Sequence, residues 1–514
     1  MARVLGRRAR IALGAALVLL VPGLASTGSA PAAGDTIAAT VVSTQVGQPM
    51  PASFIGESFE YRAIHQYTGR DPRAVDPVLL ALVQGLVPGQ RPVVRIGGDS
   101  ADGTWWPIRG KLAPGGVYYA LTPGWLRTTH AFAADLGAKL ILGVNLEAGR
   151  PAIAAAEGRS LLAGIGRRYI QAVEIGNEPD LYGVFPWYRD RRGHLHRGRG
   201  RHYGLRDYEK EFKHWRRVLP RLPVAGPVAS GPSFMRHLGR FISSERRLKL
   251  VTYHRYPLRA CIKTAASPAF PTIPNLLADR SSAGLASGVA PFVRVADRHR
   301  LPLRLTELNS ASCEGAAGVS DTFASALWAL DTLFGMASAG VDGVNFHMLP
   351  GSHYELFSPS RTSSGGWQAF VHPEYYGLLA FSQAFPPGAR RLRVSAPDGS
   401  VKVWATQDPG GTVRVTLINK DLTNAHSVRL QIPGPPRPAS LTTLRAASAS
   451  STSGVTLGGQ SFGSQTSTGK LGPQHSTPLA PPRGGGYSIQ LPAASAAVVT
   501  ATQSAGSSAL ARHR

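Results

Sequence analysis

Apolar and polar positions follow two regimes along the chain, and the change comes near Pro387. Before it, short apolar runs alternate with longer stretches of helical period. The runs are Ser53 to Phe59, Pro92 to Ile96, Lys139 to Val144, Gln171 to Ile175, Pro223 to Val228, Lys249 to Tyr253, Pro302 to Thr306 and Gly343 to Met348. Apolar runs of this length, bounded by Gly, Pro and Asn, read as strands buried on both faces. Helical period appears at Pro77 to Leu86, Trp125 to Leu136, Asp207 to Val218, Pro291 to His299 and Thr322 to Ala339. Eight strands alternating with helices over about 330 residues predict a (β/α)8 TIM barrel, with chemistry at the C-terminal strand ends. An open doubly wound sheet is the competing architecture, but the first strand lacks a Gly-x-Gly-x-x-Gly turn into a helix.

After Pro387 the period shortens to two. Leu392 to Ala396, Val401 to Thr406, Val413 to Asn419, Ser427 to Ile432, Ser440 to Leu444, Val455 to Leu457, Tyr487 to Leu491 and Ala496 to Ala501 are strand-like, with Gly-rich turns between them. They predict a C-terminal antiparallel β-sandwich. Asp35 to Val46 alternates weakly and needs a sheet to join. The implied plan is a leader at 1–32, a strand segment at 33–50 joining the sandwich, a catalytic barrel at 51–386, the sandwich at 387–502 and a disordered tail at 503–514.

With 514 residues, 43% hydrophobic, the chain has ample material for two cores. The formal net charge of +26 favours acidic partners, such as an acidic polysaccharide or wall polymer, or else simply a charged, soluble surface. No nucleic-acid motif accompanies it. Arg3, Arg7, Arg8 and Arg10 precede an apolar stretch, Ile11 to Val21, too short to span a bilayer, and small residues follow. This is the pattern of a secretory signal and predicts a secreted protein with no stable membrane insertion after its removal. The two cysteines, Cys261 and Cys313, exclude a cysteine-built zinc site.

Two strands end in glutamates. The fourth runs into Gly176-Asn177-Glu178-Pro179, where the proline stops the ladder and leaves Glu178 where strand becomes loop. The seventh ends at Thr306-Glu307. A pair of carboxylates on one barrel rim suits hydrolysis of a glycosidic bond, one protonated and one ionised. Glu178 is assigned as acid/base and Glu307 as nucleophile. Tyr256, at the end of strand six, is placed to hold the nucleophile, or else packs on Pro257. His254, His347 and His353 read as hydrogen-bonded rim residues. Because strands six and seven are barrel neighbours, the loops after them leave side by side, which predicts a Cys261–Cys313 bridge. No metal or cofactor is implied.

Four motifs in this order, Arg95 to Asp102 (RIGGDSAD), Gly176 to Asp180 (GNEPD), Tyr253 to Pro257 (YHRYP) and Thr306 to Ser310 (TELNS), with Gly318 to Trp328 after them, resemble glycoside hydrolase family 79. This is the β-glucuronidase and heparanase-like group, and the resemblance runs from about residue 40 to about 500. It implies that Asn177 binds the sugar 2-hydroxyl, and that Asp99 and Glu57 bind the hydroxyls far from the scissile bond. It further implies that a uronate carboxylate meets Tyr354 and the backbone N–H groups of Cys313, Glu314 and Gly315. The family's loop there is richer in glycine, and Glu314 adds an acid, so a β-glycosidase for a neutral sugar stays open. So does a non-catalytic polysaccharide-binding surface protein, to which the basic charge points. The arginine-rich stretch from Arg189 to Arg206 overhangs the same face, either to bind further anionic sugars or as a solvated loop.

Overall fold

The computed structural model describes residues 36–502, apart from 398, 436 and 481–485. The expected secretory leader and C-terminal tail lie outside the described residues. Eight parallel strands close into a barrel: β1 (Ile55–Glu60), β2 (Val93–Gly97), β3 (Lys139–Val144), β4 (Ile170–Ile175), β5 (Val224–Ala229), β6 (Leu248–Arg255), β7 (Leu303–Leu308) and β8 (Gly343–Met348). Their order around the barrel is their order in the chain. β1, β2, β5, β7 and β8 are buried at every residue, because side chains fill the barrel on one face and helices cover the other.

Local chemistry starts the helices. Helices Pro77–Leu86, Pro123–Leu136, Pro151–Ile165 and Pro373–Ala384 all begin with proline, whose fixed φ and missing N–H suit the first turn. Asp76 accepts from the Val78 amide at 2.8 Å and Thr122 from the Trp125 amide at 3.1 Å, each satisfying an otherwise orphan donor.

Among the elements that depart from the sequence reading are three long helices. Helices Pro151–Ile165 and Pro373–Ala384 carried no clear helical period. The second is buried at ten of its twelve residues, between barrel and C-terminal sheet, so it has no polar stripe to reveal it. The helix expected from Pro291 in fact spans Ala283–Arg298, with Pro291 inside it. A proline there resembles a helix start, and the preceding Ala-Gly-Ser-rich turns hide the true one.

The C-terminal strands form one ten-stranded sheet folded over a single core, in which Ala439 near one edge and Ile489 near the other share a cluster. Strand Ile37–Val46 enters it between Arg390–Ser395, antiparallel, and His426–Gln431, parallel. The sheet is thus antiparallel apart from that one pairing. Along Val413–Asn419, Val413, Val415 and Leu417 face the sheet's own core while Ile418 faces the barrel helices, the period-two alternation of a strand covered on both sides.

A polar cluster locks the two layers together. Asp331, on the buried helix Phe323–Ser338, accepts from Trp404 Nε1 at 2.9 Å and Ser282 Oγ at 2.6 Å, and is ion-paired to Lys420. Lys420 also reaches Asp279 at 3.3 Å and Ser282 at 3.0 Å. Removing one partner of a buried pair strands the other's charge. Lys420→Met is therefore expected to lower stability by about 3 kcal/mol, read as an earlier urea midpoint. A midpoint equal to that of the parent chain would show the pair to be dispensable.

Candidate active site

The site is built around one buried cation. Arg95 lies inside the barrel on β2 and is fully buried. Its Nε donates to Glu174 on β4 at 2.7 Å, its Nη1 to Glu307 on β7 at 2.6 Å and Ser58 on β1 at 3.1 Å, and its Nη2 to Asn177 at 2.8 Å. Thr306 donates to the other oxygen of Glu174 at 2.7 Å. The two glycines after β2 make room for this. A Cβ on Gly97 would stand 2.7 Å from the Arg95 guanidinium, and one on Gly98, at φ +70°, would stand 2.1 Å from the Glu60 carboxylate.

Glu178 and Glu307 face each other above Arg95. An oxygen of each carboxylate and a ring nitrogen of His254 lie within 4.8 Å of one another. Glu307 accepts from the Tyr256 hydroxyl at 2.7 Å. Burial by itself would raise the pKa of Glu307. The charges of His347 and Arg95, with the Tyr256 hydroxyl, outweigh it and hold Glu307 well below the usual carboxylate range. His254 is itself pushed down to about 3 by burial, so it is neutral near pH 7, and Arg95 supplies the permanent charge. Burial, then the charges of Glu307 and Asp99, push Glu178 well above its ordinary value. The two carboxyls therefore divide one proton, held on Glu178, as acid/base and ionised partners require. Glu178 sits at φ +48°, a left-handed backbone rare outside glycine, and its N–H donates to Val228 O at 3.0 Å. His254 Nδ1 lies 3.0 Å from Glu178 Oε1.

Asn177 uses Oδ1 for Arg95 and one Nδ2 hydrogen for Asp99, at 3.0 Å, leaving its second hydrogen free. Asp99 opens to the pocket. Enclosure by the walls, then the charges of Glu60 and Glu307, still push it up to about 7, because its exposure is only to the cleft. Tyr354 is buried beside Tyr256 and His347, with ring centroids 6.4 Å and 5.9 Å away. Cys261 and Cys313 are bridged, with Cα atoms 5.8 Å apart. Cys313, Glu314 and Gly315 follow one another in left-handed conformation, at φ +62°, +65° and +76°. The Glu314 carbonyl accepts from His353 N at 2.9 Å, and its side chain is exposed. The arginine-rich stretch forms a short hairpin, Tyr188–Arg189 with Leu195–His196. One of its arginines, Arg199, is inward and structural, paired to Glu211 at 2.9 Å and bonded to the carbonyls of Leu146 and Glu147.

Glu57 is not in the pocket. On β1 the side chains alternate: Ser58 bonds Arg95 and Glu60 meets His347, so both point inward, whereas Glu57 and Phe59 point to the helix layer. The pocket carboxylate from this strand is Glu60. It accepts from the amides of Asp99 at 3.1 Å and Ser100 at 2.8 Å, which point down from the short turn after Gly98. His254 and His347 are hydrogen-bonded rim residues as expected, at 3.0 Å from Glu178 and 3.1 Å from Ser58, whereas Arg95, quoted only within its motif, was given no role in the site. Counting in twos from an inward residue was the available signal for Glu60.

The comparisons with known proteins agree with this architecture. Residues 403–498 match the glycosyl hydrolase family 79 C-terminal beta domain. A β-glucuronidase of Neurospora crassa is 25% identical over 399 residues, which cover 71% of this chain and 69% of that one. Among solved structures, a 4-O-α-L-rhamnosyl-β-D-glucuronidase from Fusarium oxysporum superposes with a TM-score of 0.69 at 19% identity, over 90% of this chain and 100% of that one. A family 51 arabinofuranosidase from Xanthomonas axonopodis pv. citri gives 0.63 at 15% identity, over 91% and 100%. The chain is thus a glycoside hydrolase. Within that class, its residues 403–498 carry the C-terminal beta domain of glycosyl hydrolase family 79.

Glu57 yields a stability test. Its two carboxyl oxygens are buried without a hydrogen-bond partner, and burial pushes it up to about 8. A carboxyl raised in the folded state binds its proton more tightly there than in the unfolded chain. Its contribution is complete below about pH 4.5 and is lost as pH rises toward 8. Glu57→Gln should therefore gain on the order of 3–4 kcal/mol relative to the parent between pH 4.5 and 8, as urea denaturation at both pH values would measure. A pH-independent difference would show that Glu57 does not titrate in this window.

Proposed function

We propose that this enzyme is a secreted, retaining β-glycosidase that hydrolyses terminal β-linked glucuronides. The observation carrying the mechanism is the carboxyl pair: oxygens within 4.8 Å, with opposite shifts in acidity. Retaining enzymes keep their carboxyls about 5–5.5 Å apart, whereas inverting ones leave about 6.5–9.5 Å for a water. In the first step a Glu307 oxygen attacks the anomeric carbon and the glycosidic C–O bond breaks. The Glu178 proton goes to the leaving oxygen. In the second step Glu178, now a carboxylate, takes a proton from water, whose oxygen displaces Glu307 from the sugar and restores both groups. Arg95 and Tyr256 hold Glu307 in place. As its charge is consumed in the first step, Glu178 faces less negative charge, which eases its own loss of a proton.

Support for the sugar's identity comes from one wall. Burial and the charges of Glu307 and Glu60 keep the Tyr354 hydroxyl protonated, so it is a donor. The backbone N–H groups of Cys313, Glu314 and Gly315 have no hydrogen-bond partner among the described residues. These donors suit a carboxylate. The exposed Glu314 side chain lies at the rim and leaves them accessible. Secretion is supported by the leader pattern and by the Cys261–Cys313 bridge, which suits an oxidising compartment.

Kinetics with aryl glycosides test both parts. Glu307→Gln should abolish turnover. Glu178→Ala should slow poor leaving groups most, and azide should partly restore it on an activated substrate. Equal loss on good and poor leaving groups, without rescue, would reverse the assignment of roles. Hydrogen bonds to a charged group contribute about 1.5–3 kcal/mol each. Tyr354→Phe should thus lower kcat/KM for an aryl β-glucuronide by about tenfold or more while sparing the β-glucoside, and Glu314→Gly should change little. Comparable parental rates on both substrates, equally affected by Tyr354→Phe, would favour a neutral sugar instead.

A further inference from the structure

The same loop that borders the catalytic pocket also lines a second cavity on the barrel flank. After β2 and the turn at Asp99–Gly103 the chain runs outward through Trp106, Ile108 and Lys111, and returns at Tyr118. Between its outward limb and helix Pro151–Ile165 lies a groove of about 760 Å3, and none of its lining residues belongs to the catalytic pocket. Its floor is small, made of Ala152, Ala155, Ala156 and Ala163. Its walls carry Trp106, Lys111 and Arg159. The groove's size is that of a site for a small ligand or a few sugar rings.

Its chemistry is one-sided. Lys111 and Arg159 are exposed, and no ion pair or side-chain hydrogen bond engages either of them among the described residues. The indole N–H of Trp106 has no partner there either. The lining contains no carboxylate, and the nearest acid on the helix, Glu157, is buried and turned inward to the Asn145 amide at 3.1 Å. Two cations, a free N–H and a half-buried indole face over an alanine floor suit a flat, oxygen-rich anion. Stacking of a sugar ring on the indole and pairing of a carboxylate with the cations use all of them.

The walls are also rigid. Trp105, Val117 and Ile153 form a small core, onto which Ile108 and Trp187 of the arginine-rich hairpin pack. Gly116, at φ +82°, admits the Trp187 ring, since a Cβ there would stand 2.7 Å from it. From this core the loop presents Leu112, 94% exposed, and Tyr118, 62% exposed, toward solvent. Tyr118 lies against Gly103, and its hydroxyl is close enough to Glu60 and Asp99 to feel their charge. The loop therefore runs continuously from the flank groove to the mouth of the pocket.

We propose that this groove is a second saccharide site, which takes a uronate-bearing segment of a polymeric substrate outside the catalytic pocket. The inference rests on the acidic-sugar reading of the pocket, and its test separates the two. Binding of an oligoglucuronate to the Glu307→Gln enzyme is measured with free glucuronic acid saturating the pocket, and a neutral oligoglucoside of equal length is the control. Salt-sensitive binding of the oligoglucuronate alone is expected. Lys111→Glu with Arg159→Glu should weaken it by about tenfold or more, and Trp106→Ala by about threefold, while each leaves kcat/KM for an aryl glucuronide within about twofold in the active enzyme. Unchanged affinity in both variants would overturn the site. So would equal binding of the neutral oligomer, or of a single-stranded oligonucleotide. If the parent enzyme fails on aryl glucuronide, that counts against the pocket's reading, and the groove's result is read independently from the binding data.

Discussion

The buried guanidinium of Arg95 is the interaction on which the site depends. It touches three strands and the Asn177 loop through four hydrogen bonds, and it is paired to two carboxylates inside the barrel. A lone cation at that depth is prohibitively expensive to desolvate, and so is either acid without it. The three groups are therefore mutually required. Because guanidinium is planar and permanently charged, it fixes the direction of the Glu307 carboxylate as well as its ionisation, which an ammonium on a flexible stem would not. Glu174 has no place in the pocket opening. Its role is to satisfy the far side of Arg95, with Thr306 holding its second oxygen.

From that arrangement follows a steep gradient of acidity over a short distance. Glu307 lies closest to the cation and stays ionised. Glu178, farther out, feels its neighbour's negative charge more than Arg95's positive one and keeps its proton. His347 is raised by Glu307 and Glu60 against the pull of burial, whereas His254, with less compensating charge, is lowered. Two histidines on the strands that flank β7 thus shift in opposite directions for reasons that lie entirely in their neighbours. The pocket is acidic inside a strongly basic chain. Attraction of an anionic substrate over a distance must therefore come from the exterior, and selection from the hydrogen-bond donors within.

The C-terminal sheet is part of the same folded unit rather than an appendage. Its outer face packs on helices Phe323–Ser338 and Pro373–Ala384, whose Trp328 and Phe381 in turn meet Phe346 of β8 and Phe54 just before β1. The first described strand of the chain pairs within that sheet, so the barrel is bracketed in sequence by elements of the second layer. The ion pair of Lys420 with Asp331 bridges the two layers.

The sequence alone determined what repeats locally. Apolar runs buried on both faces announced the eight strands, and proline after Glu178 marked the strand end where an acid belongs. The spacing of Tyr256, Glu307 and the cysteines from their strands placed them on one rim. What it left undecided depends on direction and distance. Glu57 and Glu60 are three residues apart on one strand, and only closure of the barrel determines which of them faces the sugar. Helix Pro373–Ala384 is invisible as a pattern because two layers bury it, a fact of packing rather than of composition. His254 and Arg95 acquire roles only through side chains brought together from strands far apart in the chain. Their acidities, and hence the division of labour between Glu178 and Glu307, are properties of that shared enclosure and of no single segment.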